Sequence, residues 1–322
     1  MANERWFACE LHCHTVHSDG DFTVPALLEA ARARYLDGIA LTDHNTFSGY
    51  MEAKTSVLPV VLGGIEWTTY FGHMLVLDCA RYIDWRDAKP DTIDEKMRLV
   101  HENGGLCGIA HPFQLGTPIC TGGHWDYHVR DWSLVNHLEI WSEGAPYLNT
   151  PNRRAIRLWA SLLDQGYRIA PTFGRDWHRT KNNPLPSACT FLRCPAPLTP
   201  AGMKHAIASG RTVVSVGPLF TFETADGKTS GDCIPAGDVQ LVFRTDTTRL
   251  SDMQTENTFV PREIRLYTNG LREVLRLPVS GETQTAQITL DAARWYSACL
   301  WGDTDGRQDT LLAVCAPLYI NA

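Results

Sequence analysis

The sequence predicts an α/β barrel of repeated strand-and-helix units up to about residue 216, followed by an all-β, sandwich-like region over 217–322. Three observations carry this. As far as residue 216, short apolar runs alternate with longer amphipathic ones, as βα units do. After Gly217-Pro218 the runs become short and β-like, separated by Gly, Asp, Asn and Thr turns, with no helical period. Histidines and carboxylates gather at the ends of the first region's strands, where a barrel of parallel strands brings its loops together.

In chain order, strands are expected at Phe7 to His12, Gly38 to Thr42, Pro59 to Ile65, Met74 to Leu77, Leu106 to Ala110, His137 to Trp141 and Arg168 to Phe173, with helices between them. Pro25 to Tyr35 opens with a proline suited to a first helical turn and carries Leu27, Leu28, Ala31 and Tyr35 at helical spacing. Thr92 to Asn103 stops at Gly104-Gly105, and Pro151 to Gln165 stops at Gly166. Beyond the Gly217-Pro218 break, strands are expected at Phe220 to Thr224, Val239 to Arg244, Glu263 to Tyr267, Glu273 to Leu277, Thr285 to Leu290, Tyr296 to Trp301 and Leu311 to Cys315. No internal repeat of solenoid period and no low-complexity linker interrupts the chain.

Composition bounds the function only loosely. With 44% hydrophobic and 20% charged residues among 322, the chain reads as globular. A net charge of −7 gives no global attraction to a nucleic-acid polymer or an anionic membrane, so an anionic substrate must be drawn in locally. No apolar run approaches the roughly 18 residues of a spanning helix, and Met1 to Glu10 lacks an apolar secretory core. A cytoplasmic protein acting on a small molecule is therefore expected, with homo-oligomerisation left open. Ten cysteines at irregular spacing, with no CxxC pair, are read as reduced and structural.

The chemistry starts at His12-Cys13-His14, followed by Ser18-Asp19-Gly20. Residues two apart on a strand face the same side, so both imidazoles can reach one metal, with Asp19 on the turn as an oxygen ligand. An HxH pair alone is a weak signal; its company strengthens it. The second strand ends in Thr42-Asp43-His44-Asn45, the third in Gly64-Ile65-Glu66-Trp67, a later one in Ala110-His111-Pro112, and the seventh runs into Gly174-Arg175-Asp176-Trp177-His178. His73 is the exception, because it begins a strand. Unrelated capping residues would have to fall at equivalent strand ends half a dozen times to give this pattern by chance. There is no GxSxG elbow, HExxH helix or Walker-type loop to compete.

These segments, HCHTVHSDG, TDHN, AHP and GRDWH, resemble the PHP (polymerase and histidinol phosphatase) superfamily of metal-dependent hydrolases over residues 8 to 216. The stretches GIEWTTYFGH and GRTVVSVGPL are similar to its carbaryl-hydrolase-like (CehA/McbA) branch, whose members carry a β-rich C-terminal region. The resemblance implies a distorted (β/α)7 barrel at 1–216, a β-sandwich domain at 217–322, and two to three divalent ions (Zn, Mn or Fe). It implies one ion on His12, His14, Glu66 and Asp176, a second on Glu66, His73 and His111, and a third on Asp19, His44 and His178. Such ions lower the pKa of a bound water and orient the substrate oxygen, so no protein nucleophile is needed.

Around this set several roles stay open. Asp43 either orients His44 or caps a turn. Glu139 either supports the ligands or faces substrate, or it pairs with an arginine. Arg175 stands where the family usually has a small residue; it is expected to grip a phosphate, the alternative being a salt bridge to Glu139. His17, Arg179 and Lys181 are further nearby cations, and Trp67, Trp141 and Trp177 either wall an organic substrate or pack the core. The expected reaction is hydrolysis of a small-molecule phosphoester of the nucleotide or sugar phosphate class, with Asp176, Glu66 and Arg175 as the catalytic set. Its rivals are a carbamate, ester or amide hydrolase and a non-catalytic metal-binding or interaction module.

Overall fold

A computed structural model of the chain describes residues 3–115, 123–143, 150–179, 188–248, 259–304 and 306–321. Strands β1 (Glu4–Cys13), β2 (Gly38–Leu41), β3 (Val60–Thr69), β4 (Gly72–Leu77), β5 (Leu106–Ile109), β6 (His137–Ser142) and β7 (Ala170–Gly174) lie side by side in chain order. Past β7 the chain returns to β1. Trp177 N donates to His12 O at 3.0 Å and His14 N donates to Trp177 O at 3.0 Å. On its other side β1 pairs antiparallel with β8 (Cys189–Pro195), which pairs with β9 (Thr212–Ser215).

Helices α1 (Val24–Arg32), α2 (Ser48–Ala53), α3 (Ile93–Glu102), α4 (Thr150–Asp164) and α5 (Pro200–Ala208) connect the strands. Thr23 caps α1 by accepting a bond from Ala26 N, while Pro25 fills a position whose N–H has no helical partner. Helix α4 buries Ala155, Trp159, Leu162 and Leu163 on one face and stops before Gly166, whose φ of +96° suits glycine. The expectation of a helix between every pair of strands is corrected at two places: between β5 and β6 the described residues hold only a three-residue 3-10 turn, Trp132–Leu134, and between β3 and β4 there is no helix at all. Strands β3 and β4 form a direct hairpin, with Thr69 opposite Gly72, so β4 runs antiparallel to both β3 and β5. Only two residues separate Thr69 from Gly72, too few for the dozen or so residues of a parallel crossover.

The remaining strands are β10 (Leu219–Thr224), β11 (Cys233–Ile234), β12 (Gly237–Asp246), β13 (Phe259–Thr268), β14 (Arg272–Pro278), β15 (Thr283–Leu290), β16 (Trp295–Thr304), β17 (Arg307–Cys315) and β18 (Leu318–Ile320). Strands β10, β12 and β15 form a small antiparallel sheet. Its buried Phe220, Phe222 and Phe243 join one core with Ile264, Leu266, Leu300 and Leu312 of β13, β16 and β17. Strand β17 pairs with β9, so hydrogen bonding runs without a break from the first region into the second. No disulfide joins cysteines among the described residues.

Candidate metal centre

Every predicted ligand sits at one end of the strands β1 to β7. His12 is the last residue but one of β1 and His14 follows the strand; His44 lies just past β2, Glu66 in the second half of β3, and His111 just past β5. Asp176 and His178 follow β7. His73 looked out of place because it starts its strand. Since β4 is antiparallel to β3, with Thr68 opposite His73, its start lies at the same end as its neighbours' finishes. A bulge in β1, where the partner register jumps from Glu10↔Ile39 to Cys13↔Leu41, re-aims the side chains around His12.

The nine side chains form three overlapping groups: His12, His14, Glu66 and Asp176; Glu66, His73 and His111; and His14, Asp19, His44 and His178. In the first, His12 Nε2 is 3.1 Å from Glu66 Oε2 and 3.3 Å from Asp176 Oδ1, while His14 Nε2 is 3.3 and 3.1 Å from the same atoms. Atoms bound at about 2.0–2.1 Å around a tetrahedral ion stand roughly 3.3 Å apart. Glu66 turns its other oxygen to His73 Nδ1 at 2.8 Å and His111 Nε2 at 3.1 Å. Asp19 Oδ1 lies 3.1 Å from His178 Nε2 and 3.4 Å from His44 Nε2.

A fit to divalent ions is tested by what these atoms do otherwise. His12 Nε2, both ring nitrogens of His14, Glu66 Oε2 and Asp176 Oδ1 are buried and make no hydrogen bond. The Nε2 atoms of His12 and His14 lie 3.1–3.3 Å from Glu66 Oε2 and Asp176 Oδ1 without aligning for hydrogen bonds, as donor atoms facing one shared point do, and a neutral imidazole keeps its proton on the other nitrogen. Leaving so many buried polar atoms unsatisfied is costly, and a cation there satisfies them together. The donor set of imidazole and carboxylate fits Zn, Mn or Fe.

Partners on the far side of the rings hold them in place. His12 Nδ1 meets Glu139 Oε1 at 2.9 Å, His111 Nδ1 meets Gly123 O at 3.0 Å, and His178 Nδ1 meets Asp176 O at 2.9 Å, which leaves each Nε2 to face the centre. Glu139 also accepts from His111 N at 2.8 Å, so one carboxylate positions two residues of the cluster. Two residues of the cluster have left-handed backbones, His111 at φ 25° and Asp176 at φ 55°, a strain that is concentrated at functional sites.

The electrostatics are those of a cation site. Burial works against charge on Glu66, but His12, His73 and His111 more than reverse it and hold the carboxyl well below its usual range. Burial likewise opposes protonation of His12, and Glu66, Glu139 and Asp176 raise it well above an ordinary imidazole. His111 is carried to about 9 and His44 to about 10 against burial, the first by Glu66 and the second by Asp19 and Glu66. The floor is closed and the rim open: the Glu66 side chain is 0% exposed and that of Asp19 58%.

Arg175 is placed otherwise than expected. It is buried, with Nε 3.5 Å from Glu10 Oε2 and its guanidinium carbon 5.4 Å from the Trp177 ring centre, so it neither reaches the rim nor pairs with Glu139. A buried guanidinium needs a counter-charge, and Glu10 supplies it. Asp43 holds the Thr15 to Ser18 turn, accepting from Thr15 N at 2.7 Å and Ser18 Oγ at 2.9 Å. His17 is engaged by Ser48 and Glu52, and Arg179 is exposed. Lys181 lies outside the described residues. Trp67, Trp141 and Trp177 are buried in the core.

The sequence reading missed Glu10 and His137. Burial raises Glu10 to about 7 against the charge of Arg175, and burial followed by the charge of His12 presses His137 down to about 3. Glu10, an acidic residue in an otherwise apolar strand, was a signal available in the sequence.

Residues 10–75 match the family model of the PHP domain, a span holding six of the nine cluster residues, from His12 to His73. No curated protein matches the sequence. Among solved structures, the chain is similar to a two-domain protein from Bacteroides vulgatus containing a predicted PHP-like metal-dependent phosphoesterase, at 15% identity and TM-score 0.55, over 98% of this chain and 96% of that one. It also aligns with a protein from Bifidobacterium adolescentis described as a metal-dependent phosphoesterase (18% identity, TM-score 0.36, 53% and 87% of the chains). An amidohydrolase from Chromobacterium violaceum aligns at 15% identity and TM-score 0.37, over 54% and 89% of the chains. The first of these likenesses, which spans both chains almost entirely, shows a PHP-like two-domain fold.

Proposed function

We propose that this chain is a metal-dependent hydrolase whose preferred substrate is a small-molecule phosphoester of the nucleotide or sugar phosphate class. What carries the reading is the convergence of nine ligand-type side chains, four of which, His12, His14, Glu66 and Asp176, turn buried donor atoms with no hydrogen-bond partner toward one another. In this reading residues 1–216 are the distorted (β/α)7 barrel of a carbaryl-hydrolase-like (CehA/McbA) relative, 217–322 are its β-sandwich domain, and the protein acts in the cytoplasm on a small anion rather than a nucleic-acid polymer.

Two to three divalent ions, on the three groups named above, would supply a water of near-neutral pKa and stabilise negative charge developing on the substrate. The chain's own part follows from its geometry. Glu66 offers one oxygen to His73 and His111 and the other to His12 and His14, and so keeps the groups in fixed relation. Glu139 fixes the tautomer and tilt of His12. The closed floor excludes bulk water, and the open side at Asp19, His44 and His178 admits substrate. Six neutral imidazoles and three carboxylates around two or more divalent ions leave a net positive centre, which suits an anion.

One observation favours the rival reading, hydrolysis of a carbamate, ester or amide: Arg175, the expected phosphate grip, is committed to Glu10. The test compares phosphomonoesters, phosphodiesters and nucleotides with aryl carbamates and esters, using protein loaded with Mn, Zn or Fe, with Asp176→Asn as the blank. Phosphate release that falls at least about 100-fold in the variant is expected. Turnover of carbamates or esters alone would replace the phosphoesterase reading with the rival one, and no metal-dependent turnover of either kind would leave the non-catalytic metal-binding module.

A further inference from the structure

Apart from the cluster, a cavity of about 440 Å³ lies between α4 and strands β13, β16 and β17. This falls within the roughly 300–1,000 Å³ of small-molecule sites. None of the nine cluster residues lines it. Its floor is aromatic: Trp159 and Trp295 are buried with ring centres 6.3 Å apart, and Trp141, Tyr267 and Trp301 also line it. Trp301 also carries a buried indole N–H that has no hydrogen-bond partner. An indole donor in such a place normally finds an acceptor.

The rim is cationic. Arg153 and Arg157 stand one turn apart on α4, and Arg307 opens β17. All three are exposed, and none pairs with a carboxylate among the described residues. Asp309, the one acid in the lining among the described residues, is already taken by the Arg265 guanidinium. Guanidiniums grouped without counter-charges over an aromatic floor recognise a planar group bearing a carboxylate, sulfonate or phosphate.

The geometry points to a second binding site, a pocket for an aromatic organic anion, with its ring on the tryptophan floor and its charge among Arg153, Arg157 and Arg307. Occupation of this pocket is independent of the metal cluster and of the reaction carried out there.

Naphthalene-2-sulfonate is a suitable probe because it has the ring and the charge but no ester or carbamate bond to hydrolyse. Its binding to the metal-loaded full-length protein is followed by calorimetry and tryptophan quenching. Saturable one-to-one binding is expected, weakened at least about tenfold in Arg153→Gln/Arg157→Gln and for the uncharged naphthalene-2-sulfonamide. Asp176→Asn is expected to bind the probe within about twofold of the unaltered protein. If the double variant does not fold, Arg307→Gln, on a different element, carries the expectation of weakened binding. The proposal is overturned by absence of saturable binding, by undiminished binding in the folded arginine variants, or by loss of binding in Asp176→Asn, which would put the anion at the metal cluster.

Discussion

Glu139 is the residue on which two of the predicted ligands depend, since it meets His12 Nδ1 at 2.9 Å and receives His111 N at 2.8 Å. Glu139→Gln keeps the size and loses the charge. Metal affinity, measured by competition with a chelator, is expected to fall about 10- to 100-fold with the fold unchanged by circular dichroism; unaltered affinity would mean that the carboxylate is merely structural. His137 makes a separate prediction about pH. Burial and the nearby charge of His12 hold it at about 3, below its ordinary 6.5, so the folded chain binds its proton more weakly than the unfolded one. Its contribution to stability is therefore complete above 6.5 and is lost as pH falls from 6.5 towards 3, at up to about 1.4 kcal/mol per pH unit. Between about pH 6.5 and pH 5, His137→Gln should lose up to about 2 kcal/mol less stability than the unaltered chain in urea titrations. Equal losses would show that the imidazole does not titrate in this window.

Among the elements, the β3–β4 hairpin does the most to shape the centre, because it delivers Glu66 and His73 from adjacent strands to one end of the sheet. Gly72 makes the turn with φ +147°, and a Cβ there would meet the Trp125 ring at 2.8 Å. Both the backbone and the ring resist any side chain. Gly72→Ala is expected to cost about 1–3 kcal/mol, seen as a melting temperature lower by several degrees, together with weaker metal binding as His73 shifts. A variant that melts unchanged would show that the hairpin absorbs the strain. Helix α4 is bound to the second region in a comparable way: Asp164 at its end accepts from Trp295 Nε1 at 2.8 Å and from Gly270 N at 2.9 Å.

For the whole molecule, the pairing of β9 with β17 makes the two regions parts of one sheet. Cutting the chain after Val216 exposes the β9 edge and uncovers Trp159, which packs against Trp295. Unpaired edges and uncovered apolar surface favour aggregation. The fragment 1–216 is expected to be poorly soluble, or to melt at least about 10 °C below the full chain. Size-exclusion chromatography and thermal melts check this, and a monodisperse fragment with the full chain's melting temperature would overturn it.

The sequence by itself determined the pieces and which residues were candidates for a shared cluster. Strand and helix periods are local, so most element positions were legible, and α1, α3 and α4 carried their own start or stop signals in Pro25, Gly104 and Gly166. The cluster residues were legible because ligand chemistry is a property of residue type, and placement at strand ends follows from a few neighbours on either side. Tertiary structure decided direction and partners. The periodicity of Met74 to Leu77 is the same whichever way the strand runs, and only its pairing with β3 and β5 makes it antiparallel and brings His73 to the centre. Arg175 has a long, flexible side chain whose direction depends on which buried carboxylate lies in reach, and Glu10, 165 positions away in sequence, is the one it meets. The aromatic cavity exists only because α4 packs against strands more than a hundred residues further on, a contact that no local pattern encodes.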